Sequence, residues 1–187
     1  MNPLASASQP SLLHLARGGD TQAFETLVRQ HQGAVFSIGY RMLGRRDVAE
    51  DLAQDAFLQL YRKLDHIESV EHLGFWLRRV VANLAIDWLR RPAHGATQPI
   101  DEEIGLAAPE NHTDPLMSRA LARLMGELPP AARAVMVLRY QEDLDVADIA
   151  TALDMPVNTV KSHIKRSLTA LRGKMIGAQL VSAEELP

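Results

Sequence analysis

The sequence predicts an all-α protein: two small helical domains joined by an acidic Pro-rich linker, the second a helix-turn-helix domain. Three observations carry that reading. Apolar residues recur at helical spacing in nearly every ordered-looking segment, and none shows sustained strand alternation. Residues 92–118 hold five acids (Asp101, Glu102, Glu103, Glu110, Asp114), four prolines (Pro92, Pro99, Pro109, Pro115) and no Lys or Arg. Near the C-terminus, two apolar-faced helices meet at the short turn Asp154-Met155-Pro156.

Taken in order, the first helix starts at Asp20, whose carboxylate suits an N-cap, and runs to about Leu43, where Gly44 stops it. Its inward side is Phe24, Leu27, Val28, Val35, Ile38 and Met42. Asp47 and Glu50 form an Asp-x-x-Glu capping box that opens a helix to about Leu64. Val48, Leu52, Ala56, Leu60 and Leu64 face inward, with Phe57 alongside. A third helix, roughly Leu73 to Arg91, buries Leu77, Val80, Val81, Leu84 and Trp88, and Pro92 ends it. After the linker come a helix of about Pro115–Leu128, one begun by Pro129-Pro130 and running to about Gln141, a short helix from Asp145 to about Leu153, and a longer one from Val157 to about Arg172. The last of these is expected to bury Val157, Val160, Ile164, Leu168 and Leu171.

The implied organisation is an N-terminal tail and helix start (1–22), a first domain (23–91), the linker (92–114), a helix-turn-helix domain (115–174) and a C-terminal tail (175–187). Over 187 residues, 47% apolar and 23% charged composition describes an ordinary soluble chain. No uncharged apolar run approaches bilayer length, and the N-terminus lacks a basic stretch before an apolar core, so neither membrane insertion nor a signal peptide is expected. Cysteine is absent, removing disulfides, thiolate catalysis and cysteine zinc sites together. A cytoplasmic location follows as an expectation.

Charge locates the candidate chemistry. The net charge is −3, yet residues 157–174 hold five basic side chains (Lys161, Lys165, Arg166, Arg172, Lys174) and no acid. A positive helix following a tight turn suits phosphate neutralisation and groove entry. Lysines at a helix C-terminus also complement its dipole, which accounts for Arg172 and Lys174 but not Lys161. Two further stripes stand out: Asp51, Gln54, Asp55, Leu58 and Arg62 on the second helix, and Trp76, Arg79, Asn83, Asp87 and Arg90 on the third. Either is compatible with a solvated charged face; the second also has the aromatic, amide and guanidinium groups that bind single-stranded nucleic acid.

Three segments carry a resemblance: DVAEDLAQDAFLQLYRKL, FWLRRVVANLAIDWLRR and, after the acidic linker, LPPAARAVMVLRYQEDLDVADIATALDMPVNTVKSHIKRSLTALR. Together they resemble the extracytoplasmic-function (ECF) group of bacterial RNA polymerase sigma factors over about Ala23–Arg91 and Leu128–Arg172. The resemblance implies that Asp51, Leu52, Gln54, Asp55 and Phe57 dock on the clamp coiled coil of core RNA polymerase. It assigns Trp76, Arg79, Asn83, Asp87, Arg90 and Arg91 to melting and reading the minus-ten element. Asn158, Thr159, Lys161, Ser162, His163, Lys165 and Arg166 fall on the recognition helix for the minus-thirty-five element. It further implies double- and single-stranded promoter DNA as ligands, an anti-sigma factor as partner, a linker threading toward the RNA exit path, and no cofactor.

Two departures from the family pattern are visible. HIESVEHLGF stands where many members have a Phe-x-Gly-x-Ser-type loop, and Asn158 and His163 stand where Gly and Arg are usual.

TVKSHI also looks like the DNA-binding domain of LuxR-type response regulators, but that reading needs an α/β receiver, and residues 1–91 offer helices only. An enzyme is not indicated: there is no nucleophile with its base, no Gly-rich phosphate loop and no paired-carboxylate site. His66 and His72, six residues apart, lack a third metal ligand.

Overall fold

A computed structural model describes residues 11–91 and 115–177. The acidic linker and the tails at 1–10 and 178–187 lie outside the described residues, as do the expectations placed on them. Eight α-helices follow in order: α1 (Leu12–Arg17), α2 (Thr21–Leu43), α3 (Arg46–Lys63), α4 (Val70–Arg90), α5 (Pro115–Gly126), α6 (Pro130–Tyr140), α7 (Val146–Ala152) and α8 (Val157–Gly177). A 3₁₀ turn, Leu64–His66, leads out of α3, and no strand occurs among the described residues.

Several boundaries follow the local chemistry that the sequence displays. The Asp20 carboxylate accepts from the backbone N–H groups of Gln22 and Ala23, satisfying donors that the first turn of α2 leaves free. Gly44 ends α2 at φ 68°, where a side chain would be strained. Asp145 caps α7 by accepting from the Asp148 N–H, and Pro130 opens α6.

Others differ. The capping box is not formed: α3 begins one residue earlier, at Arg46, with no side-chain cap. Asp47 turns instead to Arg45 (2.5 Å), and Glu50 to Arg46 (2.9 Å). A charge-assisted pair with a neighbouring guanidinium outcompetes a neutral backbone donor. Helix α4 starts three residues before the expected point because the Ser69 hydroxyl caps it, accepting from the His72 N–H. Its buried face is Leu73, Gly74, Leu77, Val81, Ala82, Ala85 and Ile86; Val80, Leu84 and Trp88 are only partly buried. On α8, Val157 and Leu168 are 42% and 44% exposed, and Ser167 takes the inward place between Val160 and Leu171. Residues 11–22 contribute α1 rather than a tail, with Leu13 and Ala16 buried, and α8 continues to Gly177 beyond the expected end.

The two halves are not separate. One apolar cluster runs from Leu27, Ile38 and Met42 through Leu60, Leu77 and Val81 into Val135, Leu138, Ile149 and Val160. Helix α6 is buried along Ala132–Leu138, including Arg133. That guanidinium donates to the Met42 carbonyl at the end of α2 (2.6 Å), to Leu128 O (3.3 Å) and to Gly126 O. Burial opposes its charge, so the carbonyl cage is what retains it.

His31 on α2 lies beside Gly74 and Arg78 of α4, with its Nε2 buried and without a hydrogen-bond partner. Burial, then the neighbouring Arg78 charge, holds its pKa below the ordinary imidazole value. The unfolded chain therefore binds a proton that the fold resists once pH drops below about 6.5. Stability is expected to fall as pH goes from about 7.5 to 5.5, and His31→Gln should flatten that dependence; thermal melts of both proteins across this window check it.

Candidate nucleic-acid and polymerase interface

The α3 stripe is presented to solvent. Asp51, Gln54, Asp55 and Arg62 are exposed, Leu58 is 54% exposed and Tyr61 63%. Leu52 and Phe57 are placed differently from the rest of that set. Leu52 is buried in the core and Phe57 packs against it, so these two hold α3 in place rather than offering a surface. An acidic and amide row beside exposed apolar side chains suits a protein partner better than DNA, whose phosphates it would repel.

On α4, Arg79, Asp87 and Arg90 are exposed, as is Arg91 just past the helix end. Trp76 is partly buried and leans on the core, which withdraws part of its ring from any base. Asn83 is partly buried too. Its amide donates to the Arg79 carbonyl one turn back (2.9 Å) and to the Ala152 carbonyl at the end of α7 (3.1 Å). Between α3 and α4 a groove of about 290 Å³ is lined by Gln59, Arg79, Val80, Asn83, Leu84 and Asp87. Gln59 belongs to this groove and was not singled out from the sequence. It sits one position past the exposed Leu58, where helical periodicity alone does not distinguish a groove wall from open surface.

HIESVEHLGF is mostly not a loop. His66 closes the 3₁₀ turn, Ile67 is 1% exposed, Ser69 caps α4, and the rest is its first turns. His72 is engaged locally, its Nδ1 accepting from the Glu68 N–H.

The helix-turn-helix is built by α7 and α8. The turn closes with the Met155 N–H donating to the Ala150 carbonyl (2.9 Å), and Asp154 takes a positive φ of 50°. Ile149, Ala150 and Leu153 are buried under it. On α8, Asn158, Lys161, Ser162, Lys165 and Arg166 face solvent, with Thr159 and His163 partly covered. Burial and the adjacent Arg166 charge lower the His163 pKa, so at neutral pH it presents an uncharged donor and acceptor rather than a cation. Lys174 is engaged by Glu127 and lies outside the cationic face.

Two helical modules, one ending in a helix-turn-helix with a cationic second helix, define a DNA-binding transcription protein. Family models match both: "Sigma-70 region 2" over residues 27–94 and "Sigma-70, region 4" over residues 118–171. The ECF RNA polymerase sigma factor SigW of Bacillus subtilis is 32% identical over 170 residues, covering 84% of this chain and 91% of that protein. The ECF RNA polymerase sigma-E factor of Escherichia coli is 32% identical over 177 residues, covering 88% and 92%. Two solved structures share the fold, each at a TM-score of 0.63. One is the sigma factor RpoE with the anti-sigma factor NepR from Bartonella quintana (19% identity; 82% of this chain, 96% of that one). The other is CnrH with the cytosolic domain of CnrY (24% identity; 89% and 96%). The chain belongs to the ECF sigma factors of RNA polymerase. The LuxR-type alternative falls with that result, since helices of sigma-70 region 2 occupy the place a receiver would need.

If α8 neutralises phosphate through Lys161 and not Lys174, alanine at each should behave differently. Lys161→Ala should flatten the log–log salt dependence of duplex binding by about one unit. Lys174→Ala should leave the slope unchanged, because its ammonium is already held by Glu127. Fluorescence anisotropy with a labelled duplex across roughly 50 to 200 mM salt measures both.

Proposed function

We propose that this chain lends promoter specificity to core RNA polymerase through three of its own surfaces and has no catalytic activity itself. The observation that carries the reading is the order of those surfaces along one chain. An acidic docking row on α3 is followed by an aromatic, amide and arginine row on α4, and after the linker by a cationic recognition helix. Asp51, Gln54 and Asp55 contact polymerase. Arg79, Asn83, Asp87, Arg90 and Arg91, with the open part of Trp76, bind the separated minus-ten strand. Asn158, Thr159, Lys161, Ser162, His163, Lys165 and Arg166 bind the minus-thirty-five duplex.

Strand separation needs binding energy because each unstacked base costs a few kcal/mol. An amide such as that of Asn83 offers both a donor and an acceptor to an exposed base edge, and Arg79 supplies charge beside it. Asn158 and His163 place neutral hydrogen-bonding groups on the helix that enters the groove, so the preferred upstream sequence differs from that of relatives with Gly and Arg there. An anti-sigma factor is the natural antagonist, and the work takes place in the cytoplasm with the polymerase. No helix among the described residues is long and apolar enough to cross a membrane.

Run-off transcription with purified core enzyme on genomic promoter fragments tests the function, and promoter-specific transcripts are expected. Asp51→Arg with Asp55→Arg should abolish co-purification with core polymerase while leaving the melting temperature unchanged, because both side chains are exposed. Full retention of the double variant would return that stripe to plain solvated surface.

A further inference from the structure

The residue assigned above to reading an unpaired base is not free to do so in this structure. The Asn83 amide is hydrogen-bonded to Ala152 O at the end of α7, the first helix of the helix-turn-helix. One and a half turns earlier on α4, Arg78 pairs with Glu142, which follows α6; their separation is 2.8 Å and the Glu142 side chain is only 10% exposed. Arg133 reaches back from α6 to the carbonyl of Met42. Three polar contacts and a shared apolar core therefore hold the C-terminal half against α2 and α4.

We infer that this closed arrangement is a self-inhibited state of the free sigma factor, latched by Arg78–Glu142 and masking Asn83, and that engagement of core polymerase opens it. The inference rests on the minus-ten assignment of α4 proposed above. Chain length supplies the argument. Six residues separate Ala152 from Asn158, so the recognition face of α8 begins no more than about 22 Å from the backbone that Asn83 touches. Elements centred at minus ten and minus thirty-five lie 25 base pairs apart, about 85 Å along duplex DNA. The closed form cannot occupy both. Helix α4 ends at Arg90 and α5 starts at Pro115, leaving 24 residues that reach about 80 Å when extended. The linker is thus long enough for an open form that the described contacts forbid.

Two consequences follow. The free chain binds separated minus-ten strand weakly, since apparent affinity scales with the fraction of molecules that are open. The charge pair is the accessible control point, because neither Arg78 nor Glu142 belongs to the assigned DNA or polymerase surfaces. Reversing Glu142 puts two cations face to face; reversing both residues restores the pair.

The test uses the full chain with single cysteines introduced at exposed Gln22 and Ala170 and labelled for energy transfer, which the cysteine-free sequence permits. The DNA probe is the single-stranded minus-ten region of a promoter mapped by run-off transcription. High transfer is expected for the free wild type and low transfer once core polymerase is added. Glu142→Arg should lower transfer in the free chain and tighten binding of the single strand about tenfold. Arg78→Glu combined with Glu142→Arg should return both readings toward wild type, which separates loss of the latch from loss of the fold. Low transfer in the free wild type, or an opened Glu142→Arg chain that binds the strand no better than wild type while its holoenzyme opens promoters normally, overturns the inference. Failure of the minus-ten assignment reads differently: an Asn83→Ala holoenzyme that opens promoters like wild type removes that assignment and leaves the energy-transfer result standing.

Discussion

Helix α4 has to satisfy two sets of neighbours at once, and the rest of the structure depends on that constraint. Its Leu73–Leu77–Val81–Ala85 line and the adjoining Gly74, Ala82 and Ile86 pack against α2 and α3 on one side and α6 and α7 on the other. Removing Leu73, Leu77, Val81 and Ile86 from water contributes roughly 2 kcal/mol each. Small residues let the backbones approach: a side chain at Gly74 would meet the Arg78 guanidinium and the His31 ring. A helix buried on so wide an arc has only a narrow strip left for polar chemistry, and Arg79, Asn83, Asp87 and Arg90 occupy it.

The same arc explains why the charged contacts between the halves are few and specific. Arg133 sits within an apolar run and would be a liability there without three carbonyls around it. Those carbonyls belong to the end of α2 and to the segment closing α5, which are helix ends with acceptors to spare. One guanidinium thereby joins α6 to its own module and to the other. Arg78 and Glu142, at the edge of the same interface, are solvated enough to separate without leaving a deeply buried charge.

Much of each module was legible because helix faces and caps are local properties. Asp20, Gly44, Pro130 and Asp145 acted as their chemistry predicts, and the exposed rows on α3 and α8 fell where the periodicity put them. The failures were competitions that one-dimensional patterns do not rank. Arginines on either side of Asp47 and Glu50 drew those carboxylates away from the backbone. Ser69 was a sufficient cap without the expected acidic partner three residues on. A serine replaced a leucine inside α8 because neighbouring helices, not hydrophobicity, set the inward angle. Packing between the halves had no signature in spacing, although Arg133 was a signal available in principle: a lone charge among apolar residues needs buried acceptors somewhere.

Stability and promoter binding consequently pull against each other in this chain. Val135, Leu138, Ile149 and Val160 belong to the same apolar cluster as Leu77 and Val81, so opening exposes part of a core that the closed form keeps dry. Polymerase binding must offset that loss, and the acidic row on α3 is outward and ready to do so before any opening occurs. Docking through α3 can therefore precede release of α4, because the two surfaces lie on different helices and only one of them is covered. The cationic face of α8 also remains exposed in the closed form, which leaves duplex contact available while strand reading is withheld. A sequence of core binding, opening and then strand capture follows from which faces are free at the start, and the linker needs only length, not structure, to permit it.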